Sequence, residues 1–227
     1  MNQFLRGVAR ALVESVTLPD PVLEIGSYQV DGQADLIDLR GLFPGRPYVG
    51  IDFRPGPGVD CVASVEALPQ PDASVGTILA LGTFEHVGRF WRGFEEMHRV
   101  LRPDGALLVA CPFYFHIHAH PEDYWRFTPA ALELLLAEYP SKIVGWHGPP
   151  ARPANVWALA FREGRPPISA EEYACYQARM RHHARMPLPW RRRLRYHLGR
   201  LICGKGPFLP YLLRERWQTR CLNRGAA

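Results

Sequence analysis

The chain has 227 residues, with 27 Lys and Arg against 22 Asp and Glu, and a net charge of +5 when His is neutral. Residues 1–178 carry 14 basic and 21 acidic residues, a net charge of −7, whereas residues 179–227 carry 13 basic residues and one acid, a net charge of +12. With 47% hydrophobic and 22% charged residues the chain is neither disordered nor fibrous, and no apolar run approaches the roughly 18 residues that span a bilayer.

The predicted elements of residues 1–161 alternate between helices and strands. Apolar residues at helical spacing predict helices over 4–16, 90–101 and 128–139, the last with Pro129 at its first position. Short β-branched runs predict strands over 22–26, 48–52, 59–63, 75–81, 106–111, 142–146 and 155–161, with a turn at 103–105 before the fifth. This alternation is typical of a parallel α/β sheet covered by helices.

The remainder of the chain is predicted to form an extension. The Gly and Pro density of residues 162–167 ends the body, which gives a domain over 1–167 and a basic helical extension over 168–227. Ser169 and Glu172 fit a helix-capping box, and two further helices are expected over 190–203 and 211–222.

Two acids and a glycine stand where the first two predicted strands end. Glu24 and Gly26 close the first strand, and Asp52 closes the second. A glycine there lets the backbone approach a ligand closely, and a carboxylate at this edge of a parallel sheet can accept hydrogen bonds from both hydroxyls of a ribose. A strand-end turn and a helix-capping Asp would explain the same residues, so both interpretations stay open on this pattern alone.

Two further segments sharpen the interpretation. Residues 60–87 read DCVASVEALPQPDASVGTILALGTFEHV, and residues 95–113 read EEMHRVLRPDGALLVACPF. In this order the motifs resemble class I S-adenosylmethionine-dependent methyltransferases of the broad type-11 kind, over roughly residues 21–161. The resemblance implies a Rossmann-like sheet of seven strands, mostly parallel with the last strand antiparallel, and S-adenosylmethionine as the cofactor.

Four residues would hold the nucleoside part of that cofactor if the resemblance holds. Asp52 would bind the ribose, and Phe53 would face the adenine. Ser64 and the backbone of Val65 would contact the adenine edge, although Ser64 stands where the family often has Asp.

Four more residues would lie along the methionine part. The resemblance places Gly26 and Ser27 along it, and it brings Leu81 and Gly82 towards the sulfonium. Glu24, the acid of the acid-x-Gly loop, is also expected to bind the cofactor. The first loop departs from the family pattern, because Gly26 is followed by Ser27 and not by further glycines.

Candidates for acceptor chemistry lie in the segment PFYFHIHAHPEDYWRFT, residues 112–128. His116, His118 and His120 alternate, so an extended chain would point all three to one side. His118, His120 and also His86, which follows the fourth strand, are candidate general bases because imidazole titrates near neutrality. The spacing supplies no fourth metal ligand, so no metal is expected.

The same segment also contains candidates for substrate binding. His116, Tyr124 and Arg126 are assigned to the acceptor, since similar segments form part of the acceptor-side lid in this kind of methyltransferase. The alternative is structural, with Asp123, Tyr124 and Arg126 tying the loop to the body by hydrogen bonds.

The basic extension allows three interpretations. Over 190–203 apolar residues fall on one helical stripe among arginines, which is compatible with an anionic membrane surface contacted through 190–222. The arginines could instead bind nucleic acid, which we favour less, or the stripe could pack on the body or on a second subunit. The sequence leaves both a monomer and a homo-oligomer open.

The leading functional hypothesis is methyl transfer to a small-molecule, glycan or lipid-linked acceptor, at oxygen. A degenerate methyltransferase fold acting as a membrane or RNA adaptor is the alternative outside enzymes. A nicotinamide-dependent oxidoreductase is disfavoured because the first turn lacks G-x-G-x-x-G. Five scattered cysteines without a C-x-x-C pair, and a first segment unlike a secretory signal, predict a cytoplasmic protein that could lie peripherally at the inner membrane surface.

Overall fold

The computed structural model describes residues 2–30, 37–118, 122–184 and 216–224, together with 190, 191, 194 and 198. Eight strands form one sheet: β1 (Val22–Ile25), β2 (Tyr48–Asp52), β3 (Cys61–Val62), β4 (Val75–Leu81), β5 (Leu101–Pro112), β6 (Ser141–His147), β7 (Asn155–Phe161) and β8 (Trp217–Asn223). The described helices are α1 (Gln3–Val13), α2 (Phe90–Val100), α3 (Pro129–Leu135) and α4 (Ala170–His183).

The strand order across the sheet is β3-β2-β1-β4-β5-β7-β6-β8. Strands β1 to β5 pair in parallel, while β7 runs antiparallel between β5 and β6. This confirms the mostly parallel Rossmann-like α/β fold with an antiparallel seventh strand. The sheet has eight strands and not the seven predicted, because β8 adds to the edge of β6. The order reverses at β1, between β2 and β4, which is where ligands bind in open sheets of this kind.

Hydrophobic cores cover both faces of the sheet. On one face α2 and α3 bury Met97, Val100 and Leu132 against the strands. On the other, α1 and α4 bury side chains such as Phe4 and Tyr176. Helix α1 begins at Asn2, whose side chain accepts a hydrogen bond from the Leu5 N–H at 3.0 Å. Because both faces are covered, ligands can reach the sheet only at its ends or edges.

The capping box at Ser169 and the Thr128–Pro129 pair predicted the starts of α4 and α3. Ser169 and Glu172 form the reciprocal capping box of α4, and the Thr128 hydroxyl accepts from the Ala131 N–H at 3.0 Å at the start of α3. The predicted turn at 103–105 lies instead inside β5, where the pairing jumps from Val75–Leu101 to Thr77–Ala106. The extra residues of β5 bulge out there, so the strand continues on both sides.

The last predicted helix, over 211–222, is wrong where the structure describes it. Residues Trp217–Asn223 form β8, which pairs antiparallel with all seven residues of β6. Trp217, Thr219 and Cys221 are partly buried while Gln218 and Arg220 are exposed, a period of two that suits a strand. Strand β8 covers backbone groups of β6 that would otherwise lie at an open edge, and that pairing outweighs local helix preference.

The predicted helix over 190–203 falls largely outside the described residues. Residues 190, 191, 194 and 198 are helical and exposed. Among the described helices, none is long and apolar enough to cross a membrane. The predicted boundary between 167 and 168 stays a prediction, although α4 and β8 both lie against the body of the fold.

Candidate functional site

A cavity of about 690 Å³ opens at the carboxyl ends of β1, β2, β4 and β5. We call the part formed by Glu24, Gly26 and Asp52 the cofactor side, since it holds residues to which the family resemblance assigns the cofactor. The part formed by Glu85, His86 and His118 we call the acceptor side. The cofactor side and the acceptor side line the same cavity. The sequence predicted residues for each role but did not show that they share one cavity.

Gly26 ends β1 in a conformation that favours glycine. Its φ is +80°, and a Cβ at this position would lie 2.2 Å from Oγ1 of Thr83. The Thr83 hydroxyl donates to the carbonyl of Ile25 at 2.9 Å, which holds the loop after β4 against the end of β1. The main chain at Gly26 therefore lines the cavity with no side chain in the way.

Asp52 ends β2 with its carboxylate held by the main chain. One oxygen accepts from the Tyr28 N–H at 3.3 Å, and the other accepts from the Arg54 N–H at 3.0 Å. Each carboxylate oxygen can accept more than one hydrogen bond, so both can still bind a ligand hydroxyl. Phe53 follows and lines the cavity with half of its surface exposed; that it faces an adenine stays a prediction.

Glu24 is buried at the end of β1, where its carboxylate accepts a 2.6 Å hydrogen bond from the Tyr48 hydroxyl. Burial raises the pKa of Glu24 to about 7, against the opposing effect of the Tyr48 hydrogen bond. Four carboxyl groups but one guanidinium line the described cavity wall: Glu24, Asp52, Glu66, Glu85 and Arg54. Asp52 and Glu66, together with Glu24 and Glu85, which are partly ionised near pH 7, outweigh the charge of Arg54, so the cavity suits a cationic ligand.

The other predicted cofactor residues divide into two groups. Val65, Leu81, Gly82 and Ser64 line the cavity, and the Ser64 hydroxyl accepts from the Glu66 N–H at 3.1 Å. Ser27 is buried at 1% exposure and does not line the cavity. The structure therefore places it apart from the wall where the resemblance assigns it.

The acceptor side begins at a 3₁₀ turn that follows β4, Phe84–His86. The Glu85 carboxyl is buried, and its Oε2 has no hydrogen-bond partner among the described residues. Burial raises the pKa of Glu85 to about 7. His86 places Nδ1 2.5 Å from the carbonyl oxygen of Glu122 and Nε2 3.9 Å from Oε1 of Glu85.

His118 enters from the loop after β5 and is held by a buried acid. Its Nδ1 lies 3.0 Å from Oδ2 of Asp123, and its backbone N–H donates to the same oxygen at 2.9 Å. Arg126 forms a two-pronged ion pair with Asp123, and this guanidinium holds the pKa of the Asp123 carboxyl well below its usual range. The rings of His86 and His118 are 5.0 Å apart between centroids.

Of the three residues predicted to bind the acceptor, only one lines the cavity. His116 lines the cavity and is exposed, whereas Tyr124 is 53% exposed and Arg126 is engaged with Asp123, and neither lines the cavity. The alternative in which Asp123 and Arg126 hold the loop describes these contacts. His120 lies outside the described residues.

Sequence reasoning missed two residues of this site. Thr83 fixes the approach of two strand ends, and Glu85 brings a buried carboxyl close to the two histidines. Their position directly after β4, at the ligand-bearing edge, was the available signal.

Comparisons with known proteins agree with this geometry. Residues 44–109 match the family described as a methyltransferase domain. A similar solved structure is 1,6-didemethyltoxoflavin-N1-methyltransferase from Burkholderia thailandensis, at 19% identity and a TM-score of 0.52, over 70% of this chain and 78% of that one. Another is an S-adenosylmethionine-dependent methyltransferase from Archaeoglobus fulgidus, at 12% identity and a TM-score of 0.53, over 70% and 93% of the two chains. No curated protein matches the chain in sequence.

The two structural likenesses show the fold, and the family match covers β2 to β5, the segment that carries Asp52 and the end of β4. The chain therefore has the fold of these methyltransferases, and residues 44–109 match the methyltransferase-domain family.

Proposed function

We propose that the protein transfers a methyl group to a hydroxyl of a small molecule, a glycan or a lipid-linked glycan. The observation that carries the proposal is the shared cavity, which joins the cofactor side to a buried carboxyl and two imidazoles. Such groups are needed where the acceptor keeps its proton at neutral pH, as a hydroxyl does. A nitrogen acceptor with a free lone pair would give them no comparable task.

The residues of the cofactor side fit S-adenosylmethionine. Asp52 presents a carboxylate suited to the ribose hydroxyls, Gly26 leaves the main chain open, and the acidic wall favours a positive charge. When bound, the cofactor supplies a methyl group on cationic sulfur; the acceptor oxygen bonds to that carbon while the C–S electron pair stays on sulfur. The protein aligns the acceptor, excludes water and takes up the hydroxyl proton.

The acceptor side provides the groups for that proton. His86 and His118 each direct Nδ1 to an oxygen, the Glu122 carbonyl and the Asp123 carboxylate, so Nδ1 carries the hydrogen and Nε2 keeps the lone pair. An imidazole Nε2 in this state can accept the proton as the new C–O bond forms. His120 stays a prediction in the same role.

The first test is calorimetry with S-adenosylhomocysteine, followed by transfer of labelled methyl from S-adenosylmethionine. Acceptor pools would be separated by solvent extraction into small polar molecules, free glycans and lipid-linked glycans. We expect label in one of these pools, released by reagents that cleave methyl ethers and not by mild base. Label on a protein or on nucleic acid, or no cofactor binding, would overturn the proposal.

We also propose that the extension contacts an anionic membrane surface. The supporting observation is that Trp190, Leu194 and Leu198, four residues apart on helical positions, are 68%, 51% and 50% exposed. Five arginines lie between 190 and 200 in the sequence. Exposed apolar residues among basic ones are typical of helices that lie in a membrane interface, where each basic residue adds about 1 kcal/mol.

Vesicle sedimentation tests this proposal. Binding to vesicles with phosphatidylglycerol is expected to exceed binding to neutral vesicles, and Trp190→Ala with Leu194→Ala should reduce it at least tenfold. Binding to RNA with no vesicle binding would favour the adaptor alternative. A stable dimer that covers the three side chains would favour the packing alternative. Cytoplasmic location stays a prediction.

A further inference from the structure

Glu85, His86 and His118 bring three potential metal ligands together although they are distant in sequence. One ligand atom from each lies within 4.8 Å of the others. In a tetrahedral site with bonds of about 2.0–2.1 Å, donor atoms are about 3.4 Å apart. Side-chain rotations that move these atoms by roughly one ångström would therefore bring all three within bonding distance of one ion.

Both imidazoles are oriented as metal-binding histidines are. A histidine that binds a metal through one ring nitrogen nearly always donates the other N–H to a carbonyl or a carboxylate. His86 does so to the Glu122 carbonyl, and His118 does so to Asp123, which is itself fixed by Arg126. In both rings Nε2 is then the nitrogen that would ligate a metal.

The third ligand is a buried carboxyl without a protein hydrogen bond at one oxygen. The Glu85 side chain is 3% exposed, and Oε2 finds no partner within the part of the chain that the structure describes. An oxygen in this state is costly to bury, by about 1–3 kcal/mol, unless something else binds it. The carboxyl lines the cavity, so a bound cation would satisfy it.

We propose that Glu85, His86 and His118 form a binding site for a divalent transition-metal ion on the acceptor side of the cavity. Two imidazoles and one carboxylate suit zinc, iron or cobalt better than magnesium or calcium, which prefer oxygen ligands. Three protein ligands leave a coordination position open towards the cavity. This proposal replaces the sequence prediction of no metal, which depended on spacing alone.

The role of the ion in catalysis rests on the proposed function, whereas its binding does not. An ion at this position would occupy Nε2 of both imidazoles and so take their place in deprotonation: an acceptor hydroxyl bound to the ion would have a lower pKa and would lose its proton to water. It would also restrict acceptors to those with a second oxygen able to chelate, such as vicinal diols, phenols with adjacent hydroxyls or hydroxy acids.

The test is calorimetry of the full chain, first treated with a chelator and then freed of it, titrated with Zn²⁺. We expect one ion per chain with micromolar affinity or tighter, and a loss of at least tenfold in His118→Ala and in Glu85→Gln. His182→Ala is the matched control, since His182 is exposed and does not line the cavity, and it should bind as the wild type does. Co²⁺ absorption would show the same ranking independently of heat signals.

Binding of S-adenosylhomocysteine, measured in the same variants, separates loss of the site from loss of the fold. Equal Zn²⁺ affinity in wild type and His118→Ala, or no binding at millimolar Zn²⁺, overturns the metal site. If methyl transfer occurs without any metal binding, this inference fails and the proposed function stands. If the ion binds at the cluster but S-adenosylhomocysteine does not bind, the proposed function fails and the site stands.

Discussion

The two sides of the cavity are built in different ways. Glu24, Gly26 and Asp52 lie at the ends of adjacent parallel strands, where the pairing of Glu24 with Gly50 and of Ile25 with Ile51 fixes their spacing. Glu85, His86 and His118 come from a turn and a loop on different strands, joined by contacts such as the Tyr124 N–H to the Glu85 carbonyl at 2.7 Å. Regular backbone thus positions one side, and individual side chains and loop contacts position the other.

This difference has a consequence for substitutions. A side chain of the cofactor side can be changed while the strand ends keep their places, so effects should come from ligand binding or from the ionisation of the changed group and not from movement of the backbone. On the acceptor side, one removed contact can release a whole loop. Gly26 is the exception, because it packs against Thr83 where the loop after β4 meets the end of β1.

The largest expected effect is that of Gly26→Ala. Positive φ costs an L-residue roughly 1–2 kcal/mol, and the clash with Thr83 adds about 1–3 kcal/mol. Gly45→Ala is the matched control, because Gly45 has a φ of +72° but nothing within 4 Å of its Cβ. Urea unfolding should show the Gly26 variant as the less stable of the two; equal losses would mean that Thr83 yields freely.

Glu24 gives the next largest effect, on the pH dependence of stability. Its folded pKa of about 7 lies above the usual value of 4.5, so the folded state binds more protons, and stability falls as pH rises through that window. Tyr48, Asp38, Arg40 and Asp60 are the charged or titratable neighbours. Glu24→Gln should remove up to roughly 3 kcal/mol of this loss between pH 5 and 8. The prediction is wrong if the free energy of unfolding of Glu24→Gln depends on pH as that of the wild type does.

Asp52→Ala tests the cofactor side. Loss of a carboxylate that accepts ligand hydroxyls should weaken S-adenosylhomocysteine binding by about 10- to 100-fold, or about 1.4–2.8 kcal/mol. Zn²⁺ binding should not change. Asp72→Ala, an exposed carboxylate outside the cavity, is the control in calorimetry. A matching loss of Zn²⁺ affinity would show that the two sides are not independent.

Asp123→Asn tests the acceptor side and has the smallest expected effect. The neutral amide no longer fixes the N–H of His118 on Nδ1 or balances Arg126, so kcat should fall about tenfold with S-adenosylhomocysteine affinity kept. Glu122→Gln alters an exposed side chain in the same loop and should have no effect. A change in KM for the cofactor with kcat unchanged would contradict the assignment of Asp123 to the acceptor side.

The cofactor side could be predicted from sequence because its residues follow strands whose ends meet at one edge. Asp52 and Gly26 needed no knowledge of long-range contacts beyond the strand order. The acceptor side could not be predicted to the same degree. The alternation of His116, His118 and His120 suggested one shared direction. Among the described residues, Asp123 holds His118 close to Glu85, 33 positions earlier in the sequence.

The extension shows the same division at the level of the fold. Its charge, its capping box and the start of α4 were readable as local patterns, since a cap involves residues three positions apart. Residues Trp217–Asn223 form a strand because they pair with the edge of β6, which would otherwise be unpaired. No local sequence pattern describes that edge.

Local patterns were enough to predict strands β1 to β7 and the residues at the ends of β1 and β2, because strand periodicity and strand-end residues are read from neighbouring positions. Only the tertiary structure decided that Gly26 must be glycine against Thr83, that β8 closes the sheet, and that Glu85 meets two histidines. Each of these depends on atoms that are close in space and far apart in the chain.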